Sequence, residues 1–130
     1  MLTKNLLVLK KVIFGLAVFW TVLIAVLCLV KFGKLPSFGV SGADKYVHAT
    51  FHFGFTMLWG IYFWQSLNEI AIPKIVRIVI LSLFYGILIE FLQETFTTTR
   101  HADIFDVLAN FTGATLALLT LLLIKRQKSK

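Results

Sequence analysis

Four long apolar stretches run through this chain, at about residues 12–30, 46–67, 75–92 and 104–124. Each is close to the roughly 20 residues that an α-helix needs to cross the hydrocarbon core of a bilayer. Backbone groups in lipid find no water, so these stretches should be helices. The chain is 58% hydrophobic, and its 15% of charged residues are too few to cover a soluble domain. The sequence therefore predicts a single all-α domain over residues 1–130, an integral membrane bundle of four transmembrane helices.

The basic residues predict how these helices are oriented. With four spans, both termini share one side of the membrane with the loop at about residues 68–74. Nine of the 13 Lys and Arg residues fall on that side, namely Lys4, Lys10, Lys11, Lys74, Arg77, Lys125, Arg126, Lys128 and Lys130. Cytoplasmic loops are enriched in Lys and Arg, so both termini are predicted to be cytoplasmic. The formal net charge is +7, but the basic residues lie mostly outside the apolar stretches, as in membrane proteins, and nucleic acid is not an expected partner.

Ionisable and amide side chains are concentrated at the other end of three stretches. They are Asp44, Lys45, His48 and His52 by the second stretch, Glu90 and Gln93 in the third, and Arg100, Asp103, Asp106 and Asn110 around the start of the fourth. Most of them are spaced by three or four positions, which places them on one face of each helix. Ionisable groups are costly inside a bilayer, so their presence there indicates a functional site. We expect the three faces to form a polar pocket that opens to the extracytoplasmic side, with the first helix as a brace.

The rise of a helix predicts how deep these residues lie. Counted from the inner ends of the apolar stretches, Glu90, Asn110 and His52 reach a similar level, with His48 and Asp106 about 6 Å higher. Small residues on the same faces should let the helices approach closely. These small residues are Ser82, Gly86, Ala109, Gly113 and Ala117.

The polar residues, taken in order, resemble the motifs of the VanZ-like family of small bacterial membrane proteins. The motifs read Asp44-Lys45-x-x-His48, Glu90-x-x-Gln93 and Arg100-x-x-Asp103-x-x-Asp106-x-x-x-Asn110-x-x-Gly113. The resemblance covers about residues 44–117 and departs at Ala117, where the family often has Gly. It implies a multi-pass protein of the bacterial inner (cytoplasmic) membrane. The best-known members are linked to resistance to the glycopeptide antibiotic teicoplanin, but the resemblance implies no reaction.

Single residues in these motifs allow more than one role. Asp44 can cap the second helix, and Lys45 can contact lipid phosphate at the headgroup level. His48 and His52 are weak candidates for metal ligands because a lone pair of histidines four residues apart is not specific, so no metal or other cofactor is predicted. Glu90 should be either paired with a cation or neutral, and Arg100 in the adjoining loop is the expected partner.

The function we expect is binding or modulation of a cell-envelope component rather than catalysis. Nine residues are predicted to contact the ligand: Asp44, Lys45, His48, Glu90, Gln93, Arg100, Asp103, Asp106 and Asn110. The expected partners are membrane lipids and a lipid-linked cell-wall precursor or a glycopeptide, and a homo-oligomer is compatible with the sequence. One alternative is an enzyme that uses acid–base chemistry on a lipid-linked or peptidoglycan intermediate, with His48, Glu90 and Asp106 as candidates. Another is a purely structural polar network, in a membrane scaffold or a small transporter.

Overall fold

The structure, a computed structural model, describes residues 2–30, 42–67, 71–96 and 101–128. They form four α-helices, which are α1 (Leu2–Leu29), α2 (Ala43–Leu67), α3 (Ile72–Phe96) and α4 (Ile104–Lys128). The predicted all-α class with four helices is confirmed.

Three of these helices, α1, α3 and α4, are long and apolar enough to cross a membrane. The remaining helix, α2, has a similar length of 25 residues. Aromatic residues, histidines and threonines replace many aliphatic residues in α2, which lowers its hydropathy. The protein is therefore a helical membrane protein by composition, while the fourth span and the orientation of the termini stay predictions.

The helices extend beyond the apolar stretches of the sequence. Between the apolar stretches the sequence predicts loops at residues 33–43 and 94–100. The second loop is wrong in its first part, because α3 continues to Phe96. The helix α3 begins at Ile72 and has Pro73 in its first turn, where the missing N–H of proline is tolerated. Glu90 consequently lies about 27 Å from the start of α3. This is about one turn further than a helix that began at residue 75, as the apolar stretch predicts, would place it. The predicted loop at residues 33–43 lies mostly outside the described residues.

The bundle is apolar outside and has polar as well as apolar residues inside. Phe84 and Phe91 expose 65% and 62% of their surfaces, whereas His52 and Asn110 expose only 1% each. Soluble proteins have the opposite arrangement, with buried polar residues as the exception. An apolar exterior suits contact with lipid tails, and buried polar groups hydrogen-bond between helices. This polarity agrees with the membrane protein indicated by the three apolar helices.

The four helices run alternately up and down. The start of α1 meets the ends of α2 and α4, since Leu6 and Lys128 line one groove with Trp64. At the same end of the bundle, Ile75 from the first turns of α3 packs in a cluster with Leu121 of α4. The described parts of α1 and α4 therefore place the two chain ends at the same end of the bundle.

The first helix packs against α2 and α3, as expected for a brace. Two hydrogen bonds connect α1 to its neighbours. The Trp20 indole donates to the Phe51 carbonyl oxygen on α2 at 2.9 Å. The Tyr85 hydroxyl on α3 donates to the Thr21 carbonyl oxygen. A very close approach joins α2 and α4. A Cβ atom on Gly113 would clash with the backbone of Ala49. Only glycine therefore allows α4 to lie directly against α2 at this level.

We predict that Gly113→Ala destabilises the bundle by about 1–3 kcal/mol, the usual cost of overpacking. The added methyl group has to push apart two backbones rather than a flexible side chain. Thermal unfolding of the purified protein in detergent measures the effect. Gly15→Ala is the matched control, because nothing lies within 4 Å of the added Cβ atom there. Equal unfolding temperatures for the two variants would contradict the close contact.

Candidate functional site

The amino group of Lys45 connects the first turn of α2 to the start of α4. Its Nζ lies 3.1 Å from Asp44 Oδ2, 3.1 Å from Asp103 Oδ2 and 3.2 Å from Asp106 Oδ1. Lys45 thus contacts three carboxylates, and its contact with lipid phosphate stays a prediction. Asp44 is the second residue of α2 and so does not occupy the N-cap position, but a negative charge in the first turn is favourable to the helix dipole.

One layer further into the bundle, His48 faces two carboxylates. Its Nε2 lies 3.6 Å from Asp106 Oδ2 and 3.9 Å from Glu90 Oε1. Its Nδ1 lies 3.2 Å from Asn110 Oδ1. All four residues are buried, with exposed fractions of 8% or less. Three helices thus contribute ionisable groups to one buried volume.

Asp103 has a structural role as well as an electrostatic one. Its Oδ1 accepts a hydrogen bond of 2.8 Å from the Phe105 backbone N–H, so it caps the N-terminus of α4. Its own backbone N–H donates to Glu90 Oε2 at 3.3 Å, which connects the cap to α3. The Phe105 N–H, followed by the ammonium group of Lys45, holds the pKa of Asp103 below its ordinary value.

The second histidine of α2 belongs to a different contact. His52 Nδ1 lies 2.8 Å from Ser82 Oγ, one helical turn below His48. The two histidines therefore do not share a set of neighbours, and the idea of a histidine pair as metal ligands is not supported by their contacts. The sequence singled out Ser82 only for its small size. Its position four residues before Gly86, on the buried face of α3, was the available signal.

Seven of the nine predicted ligand-binding residues come together, and we call them the polar cluster. They are Asp44, Lys45, His48, Glu90, Asp103, Asp106 and Asn110. Gln93 lies beside α1, where its Nε2 donates a hydrogen bond of 2.9 Å to the Cys28 carbonyl oxygen. Arg100 lies outside the described residues, so its predicted pairing with Glu90 stays a prediction. The sequence estimate that placed Glu90 level with His52 is wrong, because Glu90 contacts the layer of His48.

Three surface grooves lie away from the polar cluster. The largest, of about 600 Å³, is at the opposite end of the bundle and is lined by residues that include Lys10, Trp64 and Lys128. In the described part of the chain, the cluster residues pack against one another. The open pocket expected from the sequence stays a prediction, since the connections at 31–41 and 97–100 adjoin this end and lie outside the described residues.

We predict that Ser82→Ala lowers the free energy of unfolding by about 1–2 kcal/mol, because it leaves the buried His52 Nδ1 without its partner. Ser66→Ala is the control, since the Ser66 hydroxyl bonds only the Tyr62 carbonyl oxygen of its own helix. Thermal unfolding in detergent compares the two. An equal loss of stability for both variants would show that the interhelical hydrogen bond adds no more to the free energy of unfolding than a bond within one helix.

A second prediction concerns acid pH. The pKa of Asp103 is lower in the folded protein than its ordinary value of 3.8, so its charged form stabilises the fold. This contribution is complete above pH 3.8 and is lost as the pH falls through the lower folded value. Asp103→Asn keeps a capping residue but should remove this part of the pH dependence of unfolding. Glu94→Gln, an exposed control, should keep the wild-type profile.

Comparisons with known proteins identify no relative of this chain. No protein-family model, no curated protein and no solved structure matches the chain. The resemblance to the VanZ-like family therefore stays a prediction that depends on the motif residues between Asp44 and Gly113.

Proposed function

We propose that this chain is a four-span bacterial inner-membrane protein whose polar cluster faces the extracytoplasmic side and binds or modulates a cell-envelope component. The observation that carries the proposal is the convergence of buried ionisable groups from α2, α3 and α4 at one end of the bundle. Such groups inside a membrane protein are costly and usually functional.

The balance of charges in the polar cluster favours binding over a purely structural role. Among the described residues of the cluster, four carboxylates face one lysine and one histidine. Glu90 Oε1 and Asn110 Nδ2 are buried and have no hydrogen-bond partner. A network that only fastened helices would satisfy these atoms. The remaining acceptor and donor capacity suits a ligand with ammonium, amide or hydroxyl groups, which peptide-like envelope components carry.

The opposite end of the bundle supports the proposed orientation. Lys128 Nζ lies 4.1 Å from the centre of the Trp64 ring, and Lys10 Nζ lies 5.8 Å from the centre of the Tyr62 ring. Lysines and aromatic rings of this kind are common at membrane interfaces, and the excess of basic residues is typical of the cytoplasmic side. The polar cluster would then lie near the outer leaflet, where teicoplanin and lipid-linked cell-wall precursors are found.

An acid–base enzyme is the second candidate, favoured by one observation. His48 lies between Glu90 and Asp106, an arrangement that can hold and transfer a proton. If Glu90→Gln keeps the binding of a lipid-linked or peptidoglycan intermediate but abolishes its turnover, the enzyme is correct. Binding without turnover in the wild-type protein supports the binding role instead.

The orientation is tested by labelling single cysteines in intact cells. Cys28 is the only cysteine, so Cys28→Ala provides the background. Two exposed positions, His101 and Gln127, lie at opposite ends of α4. A membrane-impermeant maleimide should label His101→Cys in intact cells, and Gln127→Cys only after permeabilisation. The reverse pattern would overturn the proposed orientation.

The binding role is tested with teicoplanin as the probe. The purified wild-type protein in detergent should bind teicoplanin, and expression should reduce the susceptibility of a sensitive bacterium. Lys45→Met and Glu90→Gln should weaken binding about tenfold or more, because each removes a charged contact at the cluster. Lys11→Met, at an exposed position on α1, is the control and should bind normally. Folded wild-type protein that binds neither teicoplanin nor any co-purifying lipid, as read by native mass spectrometry, would contradict the proposal.

A further inference from the structure

Three buried side chains of the polar cluster direct one metal-ligating atom each toward a common point. They are His48 on α2, Glu90 on α3 and Asp106 on α4, and their ligand atoms all lie within 4.8 Å of one another. His48 Nε2 lies 3.6 Å from Asp106 Oδ2 and 3.9 Å from Glu90 Oε1. These separations are too long for direct hydrogen bonds. The three atoms surround a space without bonding one another.

The other polar atom of each side chain is held by a neighbour. Asn110 Oδ1 lies 3.2 Å from His48 Nδ1, and the Lys45 ammonium group lies 3.2 Å from Asp106 Oδ1. Glu90 Oε2 accepts a hydrogen bond of 3.3 Å from a backbone N–H at the start of α4. Residues that bind metals are commonly oriented in this way by partners of their second polar atom. The contacts leave Nε2, Oε1 and Oδ2 to face one another.

The arrangement of these atoms favours a bound cation. The Asn110 oxygen can only accept, so Nδ1 is the donor in this contact, which leaves Nε2 available as a ligand atom facing two carboxylate oxygens. Glu90 Oε1 is also buried without any hydrogen-bond partner. Lone pairs and negative charges that face each other in a buried volume repel, and a bound divalent ion removes that repulsion.

We infer that His48, Glu90 and Asp106 bind a divalent transition-metal ion of the Zn²⁺ type. Tetrahedral zinc with bonds of about 2.0–2.1 Å separates its ligand atoms by about 3.3 Å. The distances of 3.6 Å and 3.9 Å from His48 Nε2 exceed this value by only a few tenths of an ångström. One imidazole and two carboxylates suit Zn²⁺ better than Mg²⁺, which prefers oxygen ligands alone. Three protein ligands leave a fourth position open. The inference uses the same cluster as the proposed function and identifies what a ligand from the envelope would meet there.

Zinc binding by the purified full-length protein tests the inference directly. Tag-free protein is treated with a chelator, dialysed and titrated with Zn²⁺ in detergent, with calorimetry for affinity and elemental analysis for stoichiometry. We expect one Zn²⁺ per chain, a higher unfolding temperature with Zn²⁺, and no comparable effect of Mg²⁺. His48→Gln and Glu90→Gln should weaken Zn²⁺ binding about 100-fold or more, and Asn110→Ala about 10-fold.

His101→Gln is the matched control, because it removes an exposed histidine outside the cluster, and it should bind Zn²⁺ like the wild type. If a cluster variant fails to fold, the absorption spectrum of the Co²⁺-loaded wild-type protein decides, since ligation by one nitrogen and several oxygens differs from that of free Co²⁺. Folded wild-type protein without Zn²⁺ binding would overturn the inference, as would equal binding by His48→Gln. Teicoplanin binding by such zinc-free protein would leave the proposed function intact. Zinc binding by a protein that binds neither teicoplanin nor a co-purifying lipid would support the metal site and contradict the proposed function.

Discussion

The contact between Gly113 and the backbone of Ala49 is the constraint on which the candidate site depends. Because no side chain separates the helices at this point, α4 lies directly against α2. Ala49 follows His48 in the chain, and Gly113 lies one turn after Asn110. The close approach therefore allows the short Asn110 side chain to reach the His48 ring. A wider separation of α2 and α4 would leave these buried groups without partners.

The same constraint explains why polar groups are tolerated inside an apolar bundle. The lipid-facing surface of α3 and α4 carries large hydrophobic residues, and the polar side chains of both helices turn inward. Several inward polar groups find partners on another helix, as Ser82 does with His52 and Gln93 does with the backbone of α1. Hydrogen bonds between helices thus supplement the apolar core of the bundle.

The polar cluster has two layers with different consequences. In the outer layer, Lys45 connects three aspartates, and this layer is partly exposed. In the inner layer, His48, Glu90 and Asp106 are buried, and their facing atoms are not bonded to one another. Asp106 belongs to both, since one of its oxygens faces Lys45 and the other faces His48. The backbone N–H of Asp103 provides a second connection between the layers, since it donates to Glu90 Oε2.

Much of the architecture could be predicted from local features of the sequence. Apolar length predicts the helices, since hydrogen bonds within a helix need no distant residue. The position of Pro73 predicts the start of α3, and the spacing of the polar residues predicts which faces turn inward. The end of α3 was misjudged because Glu94 and Thr95 are polar, and polarity does not end a helix at a membrane surface.

The sequence by itself determined that this chain forms apolar helices with polar residues on one face of each. Only the tertiary structure decided which polar residues meet, because the axial offset between helices depends on where each begins and how closely it packs. Thus His48 faces Glu90 and Asp106, while His52, one turn away on the same face, faces Ser82. Lys45 likewise contacts three carboxylates, since the start of α4 lies within its reach. Periodicity defines the face of a helix, but contacts between helices define its register against a neighbour.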